Sequence, residues 1–325
     1  MPDTGSWPRG TQDPIGQAGE FLVWATLIAQ SGGGLHVFLP VLDRGLDALV
    51  HRLSDRKYLA LQAKTKTYIQ SSEAPIAVLE SHIYTPDQLI VGVHLDGYRL
   101  GEYALVADGE TYAKKAGRVI DGTRVLLVAD MPVRPIPGHK WSDDLVPIGE
   151  LAQRLGARVP ALAAPSPPVP PPADADRIIG SWGELEVLRR LLMLEDCGLF
   201  RPFPDNETAE VVVRRLATGA TIGLQVKTAQ LDQRHSYRHV LVNRSNFVSD
   251  PATYVVALAW ILPERRFHET CLLIPSELLT SIAGASGPYY ELHFRPDGSS
   301  ETSKLDGFRL PLESLGAEIA RRLGS

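Results

Sequence analysis

The chain has 325 residues, 44% of them hydrophobic and 22% charged, with a net charge of −5. This is the composition of globular domains, at a length that fits about two of them, and it excludes a mainly disordered chain, a collagen or a disulfide scaffold. The mild acidity argues against indiscriminate polyanion binding while leaving room for a local basic cleft, and no apolar run approaches the ~18–20 residues that span a bilayer.

Residues 1–14 are polar and proline-bearing, with no basic segment ahead of an apolar core. No secretory signal is expected, so Cys197 and Cys271 read as free thiols of a cytoplasmic protein. An amphipathic helix follows, with Phe21, Trp24, Ala25 and Ile28 at i, i+3, i+4, i+7, and the glycine-rich Ser31 to Gly34 ends it. Strand-like runs come next at Leu46–Leu53 and Tyr58–Lys64, then at Leu89–Leu95 and Tyr103–Ala107. A helix at Ile148–Leu155 closes this half. From Pro160 to Pro172, seven of thirteen positions are proline, which excludes a helix or a central strand. An extended spacer of up to about 40 Å is expected there. The chain therefore divides into 1–158, a proline-rich linker at 159–176, and 177–325.

The second half repeats the order. A helix carries Leu185, Leu188 and Leu192. Strands follow at Glu210–Leu216, Thr221–Lys227, Tyr254–Leu262 and Cys271–Ile274, and a helix at Leu312–Leu323 ends it. The halves also match residue by residue. Ile15-Gly16-Gln17-Ala18-Gly19-Glu20 pairs with Ile179-Gly180-Ser181-Trp182-Gly183-Glu184 at an offset of 164, and Gln62-Ala63-Lys64-Thr65 with Gln225-Val226-Lys227-Thr228 at 163. Pro147-Ile148 and Leu151 pair with Pro311-Leu312 and Leu315, again at 164. Duplication of one α/β sandwich domain, each copy with a central mixed sheet flanked by helices, is the expected architecture.

Strand alternation selects which side chains converge. Leu59, Leu61 and Ala63 share one face; Ala60, Gln62 and Lys64 share the other, expected to lie opposite the core. Ile222, Leu224 and Val226 oppose Gly223, Gln225 and Lys227 in the same way. An acid precedes each Gln by fifteen residues, Asp47 before Gln62 and Glu210 before Gln225. That spacing fits adjacent antiparallel strands joined by a turn near Ser54-Asp55 or Thr218-Gly219. A further acid stands at the start of each first helix, Glu20 or Glu184. Singly, each of these residues reads as solvated surface; jointly, and twice, they read as a site.

A helix Glu, a strand acid and Gln-x-Lys on the next strand resemble the PD-(D/E)xK nuclease superfamily, and most closely its Mrr-like branch, in which Gln replaces the first acid of the last motif. Asp43-Arg44-Gly45-Leu46-Asp47 resembles that branch's D-x-G-hydrophobic-D motif. The resemblance implies restriction-endonuclease-like folds and metal-dependent phosphodiester hydrolysis of nucleic acid, with duplex DNA the expected substrate and magnesium, or manganese, the cofactor. It implies Glu20, Asp47 and Gln62 as metal ligands, with Glu184, Glu210 and Gln225 in the same places in the second half. Lys64 and Lys227 would position the attacking water or stabilise phosphate charge. Glu210 stands where the family prefers Asp, so if one site is active the first is favoured. Two joined copies would form an intramolecular pseudo-dimer, one site per strand. A catalytically silent module that binds nucleic acid or protein is the rival reading, and an RNA-directed nuclease a third.

Lys227 to Arg244 holds Lys227, Arg234, Arg238 and Arg244 against Asp232, a formal +3, and is the expected phosphate-binding segment. His235 and His239 stand at i, i+4, but with no nearby cysteine or third ligand a zinc site is not expected there. No Walker, dinucleotide-binding or nucleophile-elbow motif occurs.

Overall fold

Period-two alternation of apolar residues builds the strand that organises each half of the chain. The computed structural model describes residues 12–42, 44–67, 69–70, 72–97, 99–157, 174–203, 209–231, 238–244, 247, 249–296 and 303–324. The chain splits into two compact units, Met1–Leu162 and Ala163–Ser325. Residues 159–173 of the proline-rich segment lie outside the described residues, and a helix begins at Asp174.

In the first unit, helix α1 (Gln12–Ser31) ends where Gly32 and Gly33 take positive φ. Strands β1 (Leu35–Pro40), β2 (Ala48–Arg52) and β3 (Lys57–Lys66) form an antiparallel meander. They are followed by β4 (Glu73–Leu79), β5 (Leu89–Asp96), β6 (Arg99–Asp108), helix α2 (Gly109–Lys115), β7 (Gly117–Asp121), β8 (Arg124–Pro132), β9 (Leu145–Pro147) and helix α3 (Leu151–Arg154). The mixed central sheet runs β1-β2-β3-β5-β6-β9, with β3 and β5 parallel and its other neighbours antiparallel. A smaller antiparallel sheet runs β4-β8-β7.

One face of the central sheet packs Leu61 and Ala63 against Val23, Trp24 and Leu27 of α1 and Leu151 of α3. The other face was expected to lie opposite the core, and the structure corrects this. Ile90 and Leu105 of that face form a second core with Ala74, Ile76 and Val78 of β4, Leu127 and Ala129 of β8, and Tyr112 of α2. The reason is that β4 and β8 carry their own alternating apolar faces and close over the sheet. Gln62 is consequently buried, at 1% exposure.

The second unit comprises helix α4 (Asp174–Leu191), β10 (Cys197–Phe203), β11 (Val211–Arg215), β12 (Thr221–Leu231), β13 (Arg238–Asn243), β14 (Thr253–Ile261), β15 (Arg266–Phe267), β16 (Thr270–Pro275), helix α5 (Ser276–Ile282), β17 (Gly284–Ser286), β18 (Tyr289–Phe294), β19 (Arg309–Pro311) and helix α6 (Leu315–Arg322). Its central sheet runs β10-β11-β12-β14-β16-β19, again with one parallel pair, β12 with β14, and with the short β15 on β14. Its smaller sheet runs β13-β18-β17. Ala229 and Leu231 of β12 share a core with Val240, Val242, Leu292 and Phe294 of that sheet, so Gln225 is buried as well. The segment read as one basic stretch is thus two strands, β12 ending at Leu231 and β13 starting at Arg238. Both cysteines are buried free thiols; burial pushes Cys197 up to about 11 and Cys271 up to about 12. Among the described residues, no helix is long and apolar enough to cross a membrane.

Candidate active site

The site in each unit is built where the second strand of the meander begins late. Asp47 N donates to Leu61 O at 3.0 Å, and β2 starts only at Ala48. The next amide along β3 on that side, Ala63 N, lacks a ladder partner and instead donates to Asp47 Oδ2 at 2.9 Å. Lys64 Nζ donates to the same oxygen at 3.1 Å. The second unit repeats this with a longer acid. Glu210 N donates to Leu224 O at 2.9 Å, Val226 N to Glu210 Oε2 at 2.7 Å, and Lys227 Nζ to Glu210 Oε1 at 2.7 Å. The amide and the lysine meet on one oxygen of Asp47 and on separate oxygens of Glu210.

The buried amides complete the arrangement. Gln62 and Gln225 precede each Lys by two, on the same strand face, and the Oε1 of each is buried without a hydrogen-bond partner among the described residues. An orphaned buried acceptor costs about 1–3 kcal/mol. Its recurrence at the same place in both units marks a position where a donor or a cation is wanted. An amide oxygen beside a carboxylate is the ligand type a hard divalent cation takes, so the residues present fit magnesium.

The helix acids are brought in by close packing. A Cβ on Gly19 would lie 2.1 Å from Thr65 Oγ1, and one on Gly183 would lie 1.9 Å from Thr228 Oγ1. Glu20 and Glu184, expected at the start of their helices, lie in mid-helix, because α1 begins at Gln12 and α4 at Asp174. Only glycine lets the middle of α1 or α4 approach the residue after each Lys so closely. Glu20 and Glu184, one position along, are therefore carried to the end of β3 and β12. In the second unit Glu184 lies near enough for its charge to act on Glu210. Burial pushes the Glu210 carboxyl above the usual range, and Glu184 adds to this, while Lys227 and the Val226 amide pull it down.

Arg201 was missed by sequence reasoning. Its guanidinium donates to Glu184 Oε2 at 2.6 Å. Cys197 opposes Arg215 as Leu35 opposes Arg52, which sets Arg201 where the first unit has Leu39. A cation in a strand otherwise matching an apolar one was the available signal. Arg52 itself is committed to Asp55 and to the Leu155 carbonyl at 3.0 Å.

The other expected residues are less complete. Asp43 and Arg234 lie outside the described residues, as does the side chain of Arg238 at the start of β13. Arg244 follows that strand, exposed, with its guanidinium 5.4 Å from the centre of the Tyr290 ring.

No family model matches this sequence, and none of the curated proteins matches it. Among solved structures, that of a bacterial homing endonuclease is similar to part of it, at 17% identity and a TM-score of 0.32, over 46% of this chain and 97% of the other.

Proposed function

We propose that the chain is a duplicated PD-(D/E)xK-type endonuclease that hydrolyses duplex DNA with magnesium or manganese, and that the first unit is the cutting centre. The observation that carries this reading is the repeated set of an acid held by the amide between Gln and Lys, a Lys on that acid, and a buried Gln oxygen with no partner among the described residues beside them. Duplication is supported by the matching strand orders and by the same glycine-on-threonine approach in both units. It is supported too by Arg52 and Arg215, each of which reaches a carbonyl near the closing helix, Leu155 O or Ala320 O.

In the first unit Asp47, Gln62 and Glu20 would hold the metal. When bound, that ion supplies Lewis-acid polarisation of the scissile phosphate. Asp47 is oriented by the Ala63 amide and by Lys64. Lys64 supplies a positive charge and, beyond its bond to Asp47, up to two N–H donors to a phosphate oxygen or to the attacking water, in a partly buried place where such charge acts strongly.

For the second unit a specific observation favours a silent, binding role. Arg201 already neutralises Glu184, and Glu210 has both oxygens engaged and its ionised form disfavoured.

The test is cleavage of supercoiled plasmid, linear duplex and single-stranded RNA by the full chain with magnesium or manganese. Metal-dependent cutting of duplex, abolished in Asp47→Ala and Lys64→Met and retained in Glu210→Ala, is expected. Cutting of RNA alone would replace the DNA assignment. No cutting of any substrate with either metal would leave the silent binding module as the reading.

A further inference from the structure

Strands β13 and β18 form an antiparallel ribbon whose two faces differ. Val240 and Val242 of β13 and Leu292 and Phe294 of β18 point inward and are buried. The alternate residues, among them His239, Glu291 and His293, therefore share the outer face. The register puts His239 directly opposite His293, and Glu291 two residues before His293 on the same face. Such direct and diagonal neighbours are the pairs whose side chains meet across a ribbon. The His239 and His293 rings lie 4.4 Å apart, and Glu291 Oε1 contacts His239 Nδ1.

We propose that His239, Glu291 and His293 form a zinc site on this face. One ligand atom from each residue lies within 4.8 Å of the others. A tetrahedral zinc with Zn–N near 2.0–2.1 Å needs its ligand atoms about 3.3 Å apart, so small rotations of these side chains close the set. Two imidazoles and one carboxylate suit zinc and its first-row neighbours and disfavour magnesium, which takes oxygen ligands. This set leaves a fourth position for water. The ion would tie together strands that are 52 residues apart in the chain at His239 and Glu291. The absence of a third ligand near His239 in the sequence is thus repaired by pairing with β18.

The test is calorimetric titration of the untagged full chain with zinc chloride at pH 7.5 in excess magnesium, with imidazole resonances followed by NMR. One zinc should bind per chain and shift the His239 and His293 signals. Its affinity should fall at least about 100-fold in the His239→Ala, His293→Ala double variant, since even outer-shell losses cost about 10–100-fold. Glu291→Gln should weaken it too. Binding should weaken as the pH is lowered, because protons compete with the metal for the same ligand atoms. Because the side chains lie on the outer face, the variants should keep the wild-type circular dichroism spectrum. Absence of saturable binding to the wild type would overturn the proposal, as would unchanged affinity in the double variant or unmoved His239 and His293 signals.

Discussion

Gly183 is packed against Thr228 so closely that a Cβ on the glycine would fall 1.9 Å from Thr228 Oγ1, whereas Thr228 Cβ would lie at 3.3 Å. The hydroxyl alone therefore sets the limit on how near α4 comes to β12. That hydroxyl has no hydrogen-bond partner among the described residues.

Gly183→Ala should accordingly destabilise the second unit by about 1–3 kcal/mol, the usual range for overpacking. Thr228→Ala should cost little alone and should restore most of the loss. The first unit should behave differently, because Thr65 Cβ itself would lie 2.7 Å from a Cβ on Gly19. Thr65→Ala should fail to rescue Gly19→Ala. Denaturant midpoints of the four single and two double variants check both statements.

Gln62 separates the metal-site reading from a purely structural one without an activity assay. Gln62→Leu removes a buried oxygen with no partner among the described residues and should leave metal-free stability equal or higher, since no bond to that oxygen is broken. The rise in melting temperature with added magnesium should shrink or vanish. Gln62→Glu should lower metal-free stability, because a second carboxylate is buried beside Asp47, and should enlarge the magnesium-dependent rise. Thermal melts across a magnesium series measure all of this; equal magnesium responses in all three proteins would remove Gln62 from the ligand set.

His51 should make the first unit acid-sensitive. It is buried, stacked on Tyr58 at 4.3 Å, and opposite His36. Burial first, then the charges of His36 and Arg56, push its imidazole down to about 4. Folding thus suppresses protonation, so the unfolded chain binds the extra proton once the pH falls below about 6.5. Stability should drop between about pH 6.5 and pH 4 by up to about 3 kcal/mol from this residue. His51→Phe should retain the stacking and flatten that part of the profile. Unfolding free energies at pH 7 and pH 5 for both proteins give the comparison.

The basic segment should contribute to nucleic-acid affinity without specificity. Replacing Arg234, Arg238 and Arg244 with Ala should weaken duplex binding and reduce the slope of log affinity against log salt by about 0.7–0.9 for each arginine that pairs with a phosphate in the wild type. The loss should be similar across sequences, because pairing with phosphates positions the protein and does not specify the site. Fluorescence anisotropy at several salt concentrations checks it; an unchanged slope would mean that Arg244 serves only to cover Tyr290.

Much of the site is legible in the residues themselves. Fifteen positions between acid and Gln match a tight antiparallel pair, and period-two alternation puts Gln62 beside Lys64 and Gln225 beside Lys227. The repeated Gly-Glu pairs are visible in the same way, though their place in mid-helix and the packing of their glycines on Thr65 and Thr228 are not. Spacing and alternation are local matters, so the linear order carries them. Tertiary structure alone decided that the Gln face is buried, since the covering strands β4 and β13 come later in the chain and their inward faces acquire meaning only on docking. It alone placed Arg201 on Glu184, through a strand whose register is set by its neighbour. It also gathered His239, Glu291 and His293, which no sequence window contains, because antiparallel pairing makes neighbours of residues far apart in the chain.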